Sequence, residues 1–318
     1  MRIFKFTAWT AVFLALLIGI NSLLDFLLVP NQYARVKVHE IENVTYQDLI
    51  LGTSHGASAL DPEVLSAVTG RTTYNAAMGG EYTRDSYYIL KDAVESGHKP
   101  ERVIYEFDAT YLTYENSLTE NEAYIFYVMK PSATKLKYFL RVFWGEDFRW
   151  TFCRWRQYLD YTDRIAENVA DKTSEVYRNY GVENFTEGNQ KPLANGFIEI
   201  ADEAGGNTAG ASVYGEDAGL REDNIAALST LITYCQEQSI EFVAVTTPIP
   251  DRTIEASAVF YQRADEQMSA YFASMGVAYF DYNYLETDRS DAAFSDGEGH
   301  MIRSAAKEFS AAFAAQLG

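Results

Sequence analysis

The chain is poor in the residues that build metal centres and disulfide frameworks. Its 318 residues hold two cysteines and four histidines. Cys153 and Cys235 stand far apart in helix-like surroundings, so neither a metal cluster nor a disulfide scaffold is indicated; both read as packing residues, and no cofactor is expected. Basic residues are also scarce: 26 Lys and Arg face 45 Asp and Glu, for a net charge of −19. That balance argues against a nucleic-acid partner, whose affinity would rest on neutralising phosphates. Internal repeats and low-complexity tracts are missing. The Gly-rich stretch Gly205 to Gly219 follows no strand and precedes no Lys-Ser/Thr pair, so it reads as a flexible loop rather than a phosphate cradle. The sequons at Asn43 and Asn184 would matter only in a eukaryotic secretory pathway, for which nothing here argues. What is present is apolar: 47% hydrophobic and 14% aromatic residues, enough for one large core or two modest ones.

Residues 6–29 are almost continuously apolar and, at about 1.5 Å per residue, can cross a bilayer. No A-x-A-like cleavage site follows, so the reading is an uncleaved anchor within residues 1–30 rather than a signal peptide. Arg2 and Lys5 precede the span, which puts the amino terminus in the cytoplasm and the rest outside, in a bacterial cell membrane; Arg35 and Lys37 pull weakly the other way. Asp25 falls near the outer end, where it meets water or a membrane partner. Residues 31–45 read as a polar linker.

From residue 46 to 318, strands alternate with helices. Strands are expected at 48–51, 72–74, 102–107, 241–246 and 277–280, and helices at 62–68, 83–95, 222–237, 256–274 and 302–316. Such alternation implies an α/β domain with a mainly parallel sheet covered on both faces, and ligands outside the carboxyl ends of the strands.

The interval 109–202 breaks this alternation and reads as a mostly helical insertion. A helix opens at Pro131 and another covers 151–169. Between Lys130 and Arg156 there are seven basic residues against two acidic ones, and three of the four tryptophans, Trp144, Trp150 and Trp155, fall there. With Arg149, Arg154 and Arg156 they suggest a face for a membrane surface, an anionic polymer or a membrane partner. A helical lid with core aromatics and solvated cations is the other reading.

Two stretches carry chemistry. Leu49-Ile-Leu-Gly-Thr-Ser-His-Gly56 runs from a buried strand into a tight turn, with the next helix opening at Pro62. A serine there, Ser54, projects from rigid scaffold and suits a nucleophile. Near the other end, Ser295-Asp-Gly-Glu-Gly-His300 could supply its base, His300, and the acid that orients the imidazole, Asp296, with Glu298 as a tighter alternative. Of the other histidines, His39 lies in the linker and His98 in a turn. His55 adjoins Ser54 and should point elsewhere.

The order Ser54, then Asp296 and His300 before the last helix, resembles the SGNH/GDSL hydrolase superfamily. Residues 51–65 (LGTSHGASALDPEVL), 72–90 and 99–108 are similar to its membrane-anchored branch, which includes the D-alanyl transfer protein of teichoic-acid decoration and alginate-type O-acetylation proteins. The resemblance implies a three-layer α/β/α fold, a serine acyl-enzyme, and an oxyanion hole from the Ser54 amide and a second backbone amide, at Gly79 or Gly80, with the Asn75 side chain as a further candidate. It implies action on O-acyl groups of a cell-surface glycan or anionic polymer, with acyl groups fed by a polytopic membrane O-acyltransferase. A non-catalytic binding or assembly subunit on the same fold is the alternative. Three features depart from the family pattern: Thr53 stands where Asp is usual, Glu106-Phe107-Asp108 occupies the place of Gly-x-Asn-Asp, and the acid precedes the histidine by four positions instead of three.

Overall fold

The computed structural model describes residues 2–115, 117–207 and 209–317, with side chains from Phe6 onward. It begins with α1 (Arg2–Leu28), whose segment Phe6–Leu28 is long and apolar enough to cross a membrane and is almost wholly exposed. The expected linker instead contains a helix, α2 (Tyr33–Ile41), with Val36, Lys37, Val38 and Ile41 buried. Its polar composition hid a helix whose stability comes from docking one face on the body rather than from propensity.

Five strands form one parallel sheet in the order β2-β1-β3-β6-β7: β1 (Asp48–Leu51), β2 (Thr73–Asn75), β3 (Arg102–Glu106), β6 (Glu241–Thr246) and β7 (Ala278–Asp281). A separate antiparallel hairpin, β4 (Gln190–Pro192) with β5 (Ile198–Ile200), was not expected. Short β1 lies inside the sheet, between β2 and β3, because it is apolar on both faces. Leu49 and Leu51 enter one core cluster with Val103, Tyr105 and Ala244, while Ile50 enters the other with Ile104, Val243 and Val245, as strand periodicity requires.

Fourteen α-helices occur among the described residues. The first cluster lies under α5 (Thr83–Glu95), α11 (Glu222–Glu237) and α13 (Ala258–Ser274), and the second under α3 (Ser54–Ala59), α4 (Pro62–Thr69) and α14 (Arg303–Ala314). The helix expected at 256–274 is α13, beginning two residues later, and an unexpected short helix, α12 (Asp251–Ala256), precedes it across Ser257, whose backbone leaves the helical region. Between β3 and α11 lie α6 (Glu120–Val128), α7 (Ala133–Tyr138), α8 (Phe148–Phe152), α9 (Ile165–Thr173) and α10 (Glu175–Arg178).

The expected single helix over 151–169 is broken. α8 stops at Cys153, a 3₁₀ stretch follows from Arg154 to Arg164 with non-helical Tyr158 and Tyr161, and α9 resumes the α form. The cause is tertiary. The Trp155 indole donates to Asn21 at 2.9 Å and its amide to Asp25 at 3.1 Å, while Asn168 donates to the Leu27 and Leu28 carbonyls. The insertion thus clasps the carboxyl end of α1, and those contacts override local helix preference.

At the amino edge of the sheet, Asp48 is fully buried and accepts from Arg102 at 2.6 and 3.2 Å and from Arg71 at 2.8 Å. Removing one partner of a buried pair leaves the other charge uncompensated, at about 3–5 kcal/mol. Asp48→Ala should therefore lower unfolding stability by that amount, measured by denaturant titration of the detergent-solubilised chain; a loss of under ~1 kcal/mol would show that solvent already screens the pair.

Candidate active site

The glycines around Ser54 answer to one neighbour. Gly52 (φ +138°) has no room for a side chain: a Cβ there would sit 2.6 Å from the Glu106 carbonyl oxygen. A Cβ on Gly56 would fall 2.7 Å from that of Glu106. The two glycines let β1 and α3 close onto β3. Thr53 caps α3, accepting from the His55 amide, and its own amide and hydroxyl donate to Glu106 Oε2 at 2.7 and 2.8 Å. Ser54 is consequently the first residue of a short helix rather than part of a tight turn, an unexpected helix that precedes α4, which opens at Pro62 as expected.

The Ser54 hydroxyl lies 2.8 Å from His300 Nε2, and His300 Nδ1 lies 2.7 Å from Asp296 Oδ2. The other Asp296 oxygen accepts the amides of Glu298, Gly299 and His300. Burial works against the Asp296 charge, but the His300 ring and these amides hold its pKa down to about 2. Gly299 (φ +114°) makes this loop possible, since a Cβ there would strike Ile249 at 2.5 Å. Glu298 turns away to accept from Ser212 at 3.0 Å, so Asp296 is the acid that meets the imidazole.

Of the candidate oxyanion donors, Gly79 stands beside the serine: a Cβ on it would come 3.6 Å from Ser54 Cβ. Neither the Ser54 nor the Gly79 amide donates to a protein acceptor among the described residues. Gly80 (φ +69°) is required because Asn121 packs where a Cβ would be, and its amide faces the Tyr111 hydroxyl. Asn75 is committed: its amide group donates to the Gly56 and Leu60 carbonyls and its oxygen accepts from Ala77. That corrects its candidacy, because a buried side chain with every polar atom paired has nothing to offer an oxyanion.

His55 is also corrected. Because α3 begins at Ser54, helical geometry brings the next side chain back to the site. Its ring meets that of His300 edge-on at 4.8 Å, and its Nδ1 lies 3.2 Å from Asp108. Burial disfavours its charge, yet Asp108 and Glu106 outweigh it and raise the pKa to about 9. Burial likewise pushes the Glu106 carboxyl up, with His55 pulling it back. His55 and Asp108 line a narrow polar cavity with Thr246, Asp281 and Asn283 at the carboxyl ends of β3, β6 and β7. A second cavity, of about 170 Å³, is lined by Met78 and Gly79 and walled by Tyr33, Ala34 and Lys37 of α2. The acid at Asp108 was visible in the sequence; only the early start of α3 pairs it with His55.

The six insertion residues separate. Trp144 is 71% exposed and, through Phe139, adjoins exposed Phe152. Trp150 packs partly against the core, and Trp155 against α1. Arg149 is paired with Asp147, and Arg156 is exposed. Arg154 is buried, stacked over Tyr124 with Nη2 on the Tyr158 hydroxyl, so it belongs to the clasp rather than to an outer face. No group of three or more metal-type ligands occurs among the described residues, and both cysteines are free.

His55 holds its proton more tightly in the folded chain than the ~6.5 of free imidazole. Its pairing therefore stabilises fully below ~6.5, and that contribution is lost as pH rises through about 9. The melting temperature of the wild type should fall more steeply between pH 6.5 and 9 than that of His55→Gln. Parallel curves in differential scanning fluorimetry would remove the charged His55–Asp108 pair from the account.

Compared with known families and with curated proteins, the chain matches no family model and no curated sequence.

Proposed function

We propose that this protein is a membrane-anchored serine acyltransferase or esterase of the SGNH/GDSL type, acting outside a bacterial cell membrane on O-acyl groups of a cell-surface polysaccharide or teichoic-acid-like polymer. The observation that carries the reading is the continuous chain from Ser54 through His300 to Asp296. Helices on both faces of the parallel sheet are compatible with the family's three-layer α/β/α fold. The serine after the first strand and the histidine before the last helix follow its order. The departures have local substitutes: Thr53 is held by Glu106 where the family has Asp, and Asp108 pairs with His55 where the third block would be.

In the reaction, His300 Nε2 takes the Ser54 proton as Oγ bonds to the acyl carbonyl carbon. The resulting oxyanion faces the Ser54 and Gly79 amides, donors worth a few kcal/mol when aimed at developing charge. The carbon–oxygen bond to the donor breaks, His300 returns the proton to the departing oxygen, and acyl-Ser54 remains. A glycan hydroxyl or water then loses its proton to His300 and takes the acyl group, restoring Ser54. Asp296 keeps the imidazole in the tautomer with its Nε2 free to accept. The apolar segment Phe6–Leu28 of α1, preceded by Arg2 and Lys5, supports a cytoplasmic amino terminus and an exposed domain.

A fluorophosphonate should add to Ser54, seen as an adduct on that residue by peptide mass spectrometry. Labelling should vanish in Ser54→Ala and slow by roughly 10²–10⁴-fold in His300→Ala. Folded wild-type protein that stays unlabelled would favour a non-catalytic envelope subunit. In turnover, transfer of acetyl or alanyl groups to a glycan should outrun hydrolysis; exclusive hydrolysis would identify an esterase.

A further inference from the structure

Where α1 ends, the protein surrounds it with cations. A cavity of about 510 Å³ lies between α1, α2, α6 and the α9–α10 segment, and its wall carries Arg35, Lys130 and Lys172 beside Ser22 and Phe26 of α1. Three elements contribute those charges in a chain whose net charge is −19. Glu42 is the one carboxylate in the wall, 3.4 Å from Lys130.

Arg35 is held rigidly. Its guanidinium lies between the rings of Tyr177 and Tyr180, at 3.7 and 3.9 Å, and Nη1 donates to the Tyr177 carbonyl. Among the described residues no carboxylate comes within ion-pair distance of it. Stacking against aromatic rings fixes the planar group while the Tyr177 carbonyl takes one nitrogen of its donor fork. Lys172 donates to the Asp25 and Phe26 carbonyls at 2.9 and 2.8 Å, which seats an ammonium at the carboxyl end of the membrane helix.

The depth of the cavity identifies its ligand. A hydrocarbon core of about 30 Å takes about 20 helical residues, so counting from Phe6 ends the core near Asp25 and places Phe26 to Pro30, and the cavity they border, at headgroup level on the side of the folded domain. Below it the flank of α1 is apolar and open, with Ile18 66% and Leu23 56% exposed. We infer that this cavity binds the phosphate of an anionic phospholipid whose acyl chains lie along that flank. Its size exceeds what an inorganic ion needs, and its wall continues into a surface that only lipid chains would cover. The inference rests on α1 lying in a bilayer, as the proposed function also requires, and is independent of chemistry at Ser54.

The test uses the full chain in mild detergent, titrated with phosphatidylglycerol or phosphatidylcholine and read by native mass spectrometry. Phosphatidylglycerol should bind at least about tenfold more tightly. The preference should weaken in Lys130→Gln, which alters a half-exposed side chain, and disappear in Arg35→Gln/Lys130→Gln. Fluorophosphonate labelling of Ser54 should be unchanged in both variants, which separates loss of the lipid site from loss of the catalytic one. Equal binding of the two lipids, or a preference that survives both variants, overturns the inference. So does millimolar inorganic phosphate that displaces phosphatidylglycerol, since the site would then serve the free ion.

Discussion

The presentation of Ser54 depends on a buried carboxylate one strand away. Glu106 ends β3, and its side chain occupies the space beside Gly52 and Gly56 while binding the Thr53 amide and hydroxyl. A charged-type residue buried this deeply costs free energy unless its oxygens are used. Here one oxygen takes two hydrogen bonds from the residue just before the serine, so the cost of burial is converted into rigidity at that point. The spacing of glycines in Gly-Thr-Ser-His-Gly therefore has a steric cause: both mark close approaches to the same neighbour. The motif presents a serine because β3 carries Glu106, and neither part would make sense alone.

The same economy extends to the imidazole. Asp296 divides its two oxygens between three backbone amides and the His300 ring, so the acid is fixed by its own loop before it orients the base. On the opposite flank, His55 and Asp108 form a second imidazole–carboxylate pair whose ring abuts the first. The His55 ring held there packs edge-on against the His300 ring that meets the Ser54 hydroxyl, so the two pairs brace one another across the site.

Much of this was legible in the sequence because it is local or periodic. Apolar runs bounded by turn residues give β1 and β6 to the residue, and β2, β3 and β7 to within one. The helices α5 and α11 show their amphipathic period over many turns. Ser54, His300 and Asp296 were found by pairing types that chemistry requires, with few histidines to choose from. The errors share one origin, contacts between residues distant in sequence. Nothing near residues 33–41 announces a helix whose hydrophobic face needs the body to bury it. The break at Cys153 follows from α1 drawing Trp155 and Asn168 towards its end. Asn75 looked available because its partners, the carbonyls of Gly56 and Leu60, belong to another element. In the sequence, adjacency to Ser54 points His55 elsewhere, but the helix that begins at Ser54 lets its ring reach His300.

Two side chains of α2, Tyr33 and Lys37, brace the segments beside the site, so the stretch after α1 is packed on the body. The Lys37 ammonium, on α2, donates to the Ala77 carbonyl at 2.5 Å, two residues before Gly79. Burial draws its pKa down to about 7, opposed by Glu81, so this is a contact that a flexible stalk could not keep. Tyr33 donates to the Leu193 carbonyl, beside the turn whose Asn195 carbonyl accepts from Asn75 at the end of β2. With the insertion gripping α1 from the other side through Trp155, Asn168 and Lys172, the domain has little freedom to swing about residue 30. With α1 in a bilayer, as proposed, a site built in this way would meet the membrane at a fixed height and attitude, which suits an acceptor polymer lying at the cell surface better than a freely diffusing ester.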